Sequence, residues 1–305
     1  MGKIVIGLIL ALALVGVSAI FFPVPQPHVS LEAQSPPGFP SFITNTLLAS
    51  LLTIFVLVLL FAIATRKMKL VPTGLQNLVE YVFEWLLNFC EEAAGKENGR
   101  KFFPIIATIF FYVIGAALIS LIPGFEVLGW GHQAPAEGVS GGFAGTYHGF
   151  IVNVPLLKKA NTDINFPLAL AIIAFVFVEF VGVRTFGLSY LGRFVAVGGL
   201  FKGLKELFRG KIKHGMSEVF MGIIEMFAGI IEILSEFIRI ISLTFRLFGN
   251  MTAGMILIML ILFLIPWVVG VPFYGLEALF GFVQALIFAG LTLVFAVVAM
   301  TPREG

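Results

Sequence analysis

The sequence predicts an all-α polytopic membrane protein with five to six transmembrane helices and a long, tilted helix hairpin at its C-terminal end. Three observations carry that expectation. Of 305 residues, 59% are hydrophobic and 12% charged, where a soluble domain has roughly 25% charged. The apolar residues gather into runs that reach the ~20 residues needed to cross a hydrocarbon core: 4–22, 46–64, 102–122, 164–183, 217–266 and 272–300. These runs are continuous and not alternating, which excludes a β-barrel.

Taken in order, residues 1–22 start with Lys3 and an apolar run up to Val17-Ser18-Ala19. That pattern fits a signal peptide with its cleavage site or an uncleaved first span. Residues 23–45 are Pro-rich, contain no Lys or Arg, and form an external loop. The 46–64 span ends at Arg66, Lys67 and Lys69. Residues from about 72 to 97 interleave Glu80, Glu84, Glu91 and Glu92 with apolar positions at helical spacing. They form an amphipathic helix on the cytoplasmic side, lying in the membrane interface or packing against the bundle.

Residues 123–162 make a Gly-rich external loop, expected to be irregular, whose only basic residues are Lys158 and Lys159. The loop at 184–216 carries Arg184, Arg193, Lys202, Lys205, Arg209, Lys211 and Lys213 against Glu206 alone. Positive-inside bias places 65–101 and 184–216 in the cytoplasm, and 23–45 and 123–162 outside. The single cysteine, Cys90, leaves no disulfide framework, and His132, His148 and Glu126 lack metal-ligand spacing. No P-loop pattern occurs, so no nucleotide site is expected; no cofactor and no nucleic-acid partner are expected either.

The chemistry concentrates in 217–266. Every seventh residue gives Glu218, Glu225, Glu232, Arg239 and Arg246. Seven residues turn a helix by only about −20°, so these side chains form one drifting stripe. Ser235, Glu236, Ser242 and Asn250 fall beside it at three- and four-residue steps. Residues 218 to 250 would span about 48 Å as a helix, well beyond the ~30 Å core, hence the expected tilt. The last helix has a sparser stripe, Glu277 and Gln284, again seven apart.

Arg239 sits three residues from Glu236 and is open to two readings, helix glue or channel lining. Arg246 has its nearest same-helix acid ten residues away. An arginine stays charged at any physiological pH and costs at least a few kcal/mol inside a bilayer. Facing a mobile carboxylate, it would favour ionisation and so force release of a proton or metal cation; its charge would also repel cations leaking through. Glu225 and Glu232 then lie on the cytoplasmic side of this seal, and Glu277 with Asp163 on the external side. These are the elements of two offset half-channels. A secondary transporter would show repeats in two halves, and none occurs. An intramembrane enzyme would need a nucleophile beside a base, yet all four histidines fall in loops.

The run Ser242-Leu-Thr-Phe-Arg-Leu-Phe-Gly-Asn250-Met-Thr-Ala-Gly254 resembles the signature of subunit a of F-type ATP synthase, the membrane stator beside the rotating c-ring. The resemblance extends to Phe282-Val-Gln-Ala-Leu-Ile-Phe, to Asn161-Thr-Asp-Ile-Asn-Phe-Pro, and to Pro72-Thr-Gly-Leu-Gln-Asn-Leu-Val-Glu80. It implies that 46–305 is an ion-translocating domain with channel helices at 217–266 and 272–300. It implies that the family's essential arginine is Arg246, its asparagine Asn250, its last-helix glutamine Gln284, its cytoplasmic-side acid Glu232 and its fourth-span aspartate Asp163. Many members carry a carboxylate where this chain has Met255, and Glu277 is expected to compensate. The implied partners are the c-ring, subunit b of the peripheral stalk, the remaining synthase subunits, the lipid bilayer, and protons or sodium ions. The implied setting is a bacterial plasma membrane rather than an organelle, and the implied role is non-catalytic.

Overall fold

A computed structural model describes residues 32–122, 125–126, 128–133, 139–141, 145–147, 150–187, 190, 192, 212–264 and 270–301. The signal-like segment 1–22, most of the basic loop 184–216 and residues 265–269 lie outside the described residues, as does the side chain of Glu218.

Among the described residues there are six α-helices: α1 (Asn45–Thr65), α2 (Leu75–Ala94), α3 (Lys96–Ser120), α4 (Asn165–Phe186), α5 (Ile212–Leu264) and α6 (Gly270–Ala299). All but α2 contain a stretch long and apolar enough to cross a membrane. Thr44 caps α1, its hydroxyl accepting the Leu47 N–H at 3.2 Å. Gly74 and Gly95, at φ 64° and 78°, supply the left-handed turns before and after α2.

The core lies where α6 packs among α3, α4 and α5. Ala285, Ala289, Leu293 and Ala296 of α6 meet Ile106, Phe110 and Val113 of α3, Ala171, Ala174 and Val178 of α4, and Leu243, Leu247 and Met251 of α5. Lipid is as apolar as leucine, so such helices are held by close packing, and small residues permit it. Gly281, Ala285 and Ala289 repeat every fourth residue on α6, and a Cβ built on Gly281 would lie 2.6 Å from the Ala117 Cβ of α3.

Helix α2 packs one face against the bundle. Leu86 and Cys90 are fully buried, and Trp85 contacts the rings of Phe110 on α3 and Phe282 on α6. Burial pushes the Cys90 thiol up to about 11. Glu84 and Glu92 stay exposed on the opposite face.

The 123–162 loop departs from the irregular structure expected of it. Strands β1 (Gly129–Gln133) and β4 (Phe150–Pro155) pair antiparallel around a shorter pair, β2 (Val139–Gly141) and β3 (Gly145–Tyr147). The register shifts between Trp130 and Gly131. A Cβ on Gly131 would fall 1.8 Å from the Ile151 carbonyl oxygen, so the glycines that obscure a strand pattern here are what let the two backbones meet. The chain then runs through a 3-10 turn (Ala160–Thr162) into α4.

Candidate functional site

Helix α5 is one uninterrupted helix of 53 residues, about 80 Å long. That is more than twice the ~30 Å hydrocarbon core, so it must cross steeply inclined or run beyond the core. Its first half leaves most apolar side chains uncovered, including Phe220, Phe227, Ile231, Leu234 and Phe237. Its second half packs one face on the bundle through Leu243, Leu247, Met251 and Met255 and presents the other outward.

The polar stripe divides between these faces. Ser242, Arg246 and Asn250 are exposed on the outward face, with Phe245, Gly249 and Ala253 around them. Arg246 forms no ion pair or hydrogen bond among the described residues. Glu225 and Ser235 are also exposed, and Glu232 is half-buried.

Arg239 behaves differently. Its Nη1 donates to Glu236 Oε2 at 2.7 Å, and its guanidinium sits 4.1 Å from the centre of the Phe295 ring on α6. Of the two readings left open for Arg239, this geometry supplies the helix-packing one.

On α6, Glu277 and Gln284 are both buried, at 5% and 7% exposure. They face the bundle, so Gln284 does not share the exposed face of Arg246. Two contacts set the relative heights of α5 and α6. Glu277 lies against Gly254, its Cδ 3.4 Å from a Cβ built there, and Arg239 lies against Phe295. From Gly254 back to Arg246 is about 12 Å of helix, and from Glu277 on to Gln284 about 10 Å. Arg246 and Gln284 therefore stand at nearly the same depth on different faces. Glu232 lies about 21 Å further toward the start of α5.

Glu277 and Asp163 occupy one polar cluster at the end of the bundle formed by the start of α6, and the structure adds residues to it. Lys159 Nζ donates to Glu277 Oε1 at 2.5 Å. The Lys159 backbone N–H donates to Glu126 Oε1 at 3.4 Å. Burial pushes the Glu126 carboxyl above its usual range, against the opposing pull of Lys159 and Lys158. Burial likewise pushes the Lys158 ammonium down, and its Nζ donates to the Glu32 carbonyl at 2.9 Å.

Asp163 Oδ2 accepts from Thr46 Oγ1 of α1 at 2.9 Å. Its Oδ1 accepts from the Asn165 N–H and side-chain amide, each at 3.1 Å, which covers an open donor at the start of α4. Asp163 thus ties α4 to α1, and no direct bond joins it to Glu277 among the described residues. Met255 is buried, on the same face as Met251.

Sequence reasoning passed over Lys159. One signal was available: two lysines on the side that the positive-inside bias makes external, directly before an apolar span, are out of place unless something pairs them. Among the described residues no group of three or more His, Cys, Asp or Glu is placed to hold a metal.

The family profile described as "ATP synthase A chain" matches residues 47–296. The chain is 32% identical over 263 residues to the ATP synthase subunit a of a Nitratiruptor species, covering 86% of this chain and 91% of that protein. It is 32% identical over 256 residues to the subunit a of Campylobacter jejuni, covering 83% and 89%. It is also 32% identical over 251 residues to that of Helicobacter pylori, covering 81% and 87%.

Proposed function

Because this chain belongs to the ATP synthase A chain family and is a multi-pass membrane subunit of that complex, we propose that it is the stator half of the ion path. In this reading it delivers protons or sodium ions to, and collects them from, a carboxylate on the rotating c-ring. It does no nucleotide chemistry itself. Subunit b and the other synthase subunits hold it still while the ring turns, in a bacterial plasma membrane.

One observation carries this reading: Arg246 stands with Asn250 on the uncovered face of the longest span, without an ion partner among the described residues. A guanidinium is expensive in lipid, so an uncovered one calls for a partner from another chain. A carboxylate arriving from lipid is neutral, because burial disfavours its charged form, and it ionises beside the arginine. The ion leaves at that point, and the fixed charge stops others from slipping past. The cluster around Glu277 serves as the external half-channel. Glu225 and Glu232, with Ser235, serve as the cytoplasmic one. Gln284, at the height of Arg246 but on the bundle side of it, holds water behind the arginine through its amide.

The test is ATP-driven acidification of inverted vesicles carrying the whole complex with Arg246→Ala. The expected result is loss of pumping with the complex fully assembled. Wild-type pumping by that variant would refute the proposal.

A further inference from the structure

The ion pair between Lys159 and Glu277 joins residues 118 apart in sequence, and its two side chains are 9% and 7% exposed. The contact is lopsided. Lys159 engages Oε1 of the carboxylate, while Oε2 is buried with no hydrogen-bond partner. Asn161 Oδ1 and Thr252 Oγ1 are buried and open in the same way. Asn161 lies in the 3-10 turn, two residues past Lys159, and that turn packs on α5, which carries Thr252. Buried polar atoms left open by the protein are where ordered water is held.

The surrounding charges are mixed. Lys158, Lys159, Glu126 and Asp163 come from the loop and the turn into α4, and Tyr274 lies one turn away on α6 itself. With Glu32 also acting on Lys158, two cations thus stand among four carboxylates, counting Glu277.

We propose that Lys159 is a positioning residue for ion passage: by holding Oε1 of Glu277, it leaves Oε2 as the atom that takes up and hands on the proton. The inference rests on the reading of the Glu277 cluster as the external half-channel. A proton arriving along water forms an O–H bond at Oε2, while the ammonium stays on Oε1. That O–H bond then breaks as the proton passes to the next water toward the ring. One proton enters and one leaves, and Lys159 keeps all of its own. An ammonium suits this task because it is a compact single-point donor. A guanidinium presents a planar fork that takes both oxygens of a carboxylate.

That difference separates positioning from simple clamping. Lys159→Arg keeps the charge that a buried carboxylate requires but reaches for Oε2 as well. In the complete complex, the amount of this chain assembled and the rate of ATP-driven acidification are measured together for Lys159→Arg, Lys159→Met and Glu277→Gln. The expected result is wild-type assembly for Lys159→Arg with pumping at least fivefold slower. Lys159→Met is expected to be slower still wherever it assembles. Wild-type pumping by Lys159→Arg overturns the assignment. Loss of assembly in both lysine variants also overturns it, in favour of a clamp that only holds the loop on α6. Wild-type pumping by Glu277→Gln instead removes the external half-channel reading itself, whatever the lysine variants do.

Discussion

Gly281→Ala tests the packing that holds the site together. A Cβ at this position would sit 2.6 Å from the Ala117 Cβ on α3 and 4.0 Å from the Met251 Cε on α5. Carbon atoms rest about 3.5–4.0 Å apart, so α3 and α6 must part by roughly 1 Å around the new methyl. Overpacking of this kind costs about 1–3 kcal/mol. Separation also weakens the neighbouring contacts of Ala285 and Ala289, which have no hydrophobic drive to replace them in lipid. Glu277 lies one turn away on the same helix, so its seat against Gly254 moves too. Thermal inactivation of the detergent-purified complex, with the retained fraction of this chain followed by immunoblot, measures the effect. The expected outcome is an earlier loss of the subunit in Gly281→Ala and recovery in Gly281→Ala/Ala117→Gly, which removes the opposing methyl. Wild-type stability of the single variant, or a double variant as unstable as the single, would refute the reasoning.

Two further outcomes are expected. Cys90 is fully buried and its thiol is pushed up to about 11, so a maleimide added to intact membranes should label it only after denaturation, because the thiolate is the reactive form; rapid labelling of the native chain would contradict its place in the core. Glu126 has its carboxyl raised chiefly by burial, so it stabilises the fold below its unfolded value and loses that contribution as pH rises through the folded one. Proteolysis of the loop in right-side-out vesicles should therefore slow as pH falls toward the ordinary carboxylate range, and Glu126→Gln should flatten that slope; an unchanged slope in the variant would assign it to another group.

Much of the architecture was readable because membrane constraints act along one dimension. A span must be a continuous apolar run, and a charge inside it is conspicuous wherever the chain goes. That logic located six apolar runs, and each of the five that fall among the described residues is a helix within about six residues of its expected bounds. It also singled out Arg246, and the seven-residue stripe followed from helix geometry alone. The helical character of α2 was equally plain, though its alternatives stayed open because a face made for lipid headgroups and a face made for a bundle have the same composition.

What the sequence by itself determined was therefore the spans and the stripe bearing Arg246, since each depends on local composition and helical period. Which way the stripe faces was decided only by tertiary packing. The interior of a membrane bundle is no more apolar than the lipid outside it, so hydropathy carries no sign that Arg246 looks outward while Gln284 looks inward. The strands of the 123–162 loop escaped notice because glycines such as Gly131 remove the side-chain alternation that marks a strand. The polar cluster was out of reach for a different reason: Thr46 meets Asp163 across 117 residues and Lys159 meets Glu277 across 118. A carboxylate's partner at that separation is set by where the loop folds back onto α6, and no periodicity in the chain encodes it.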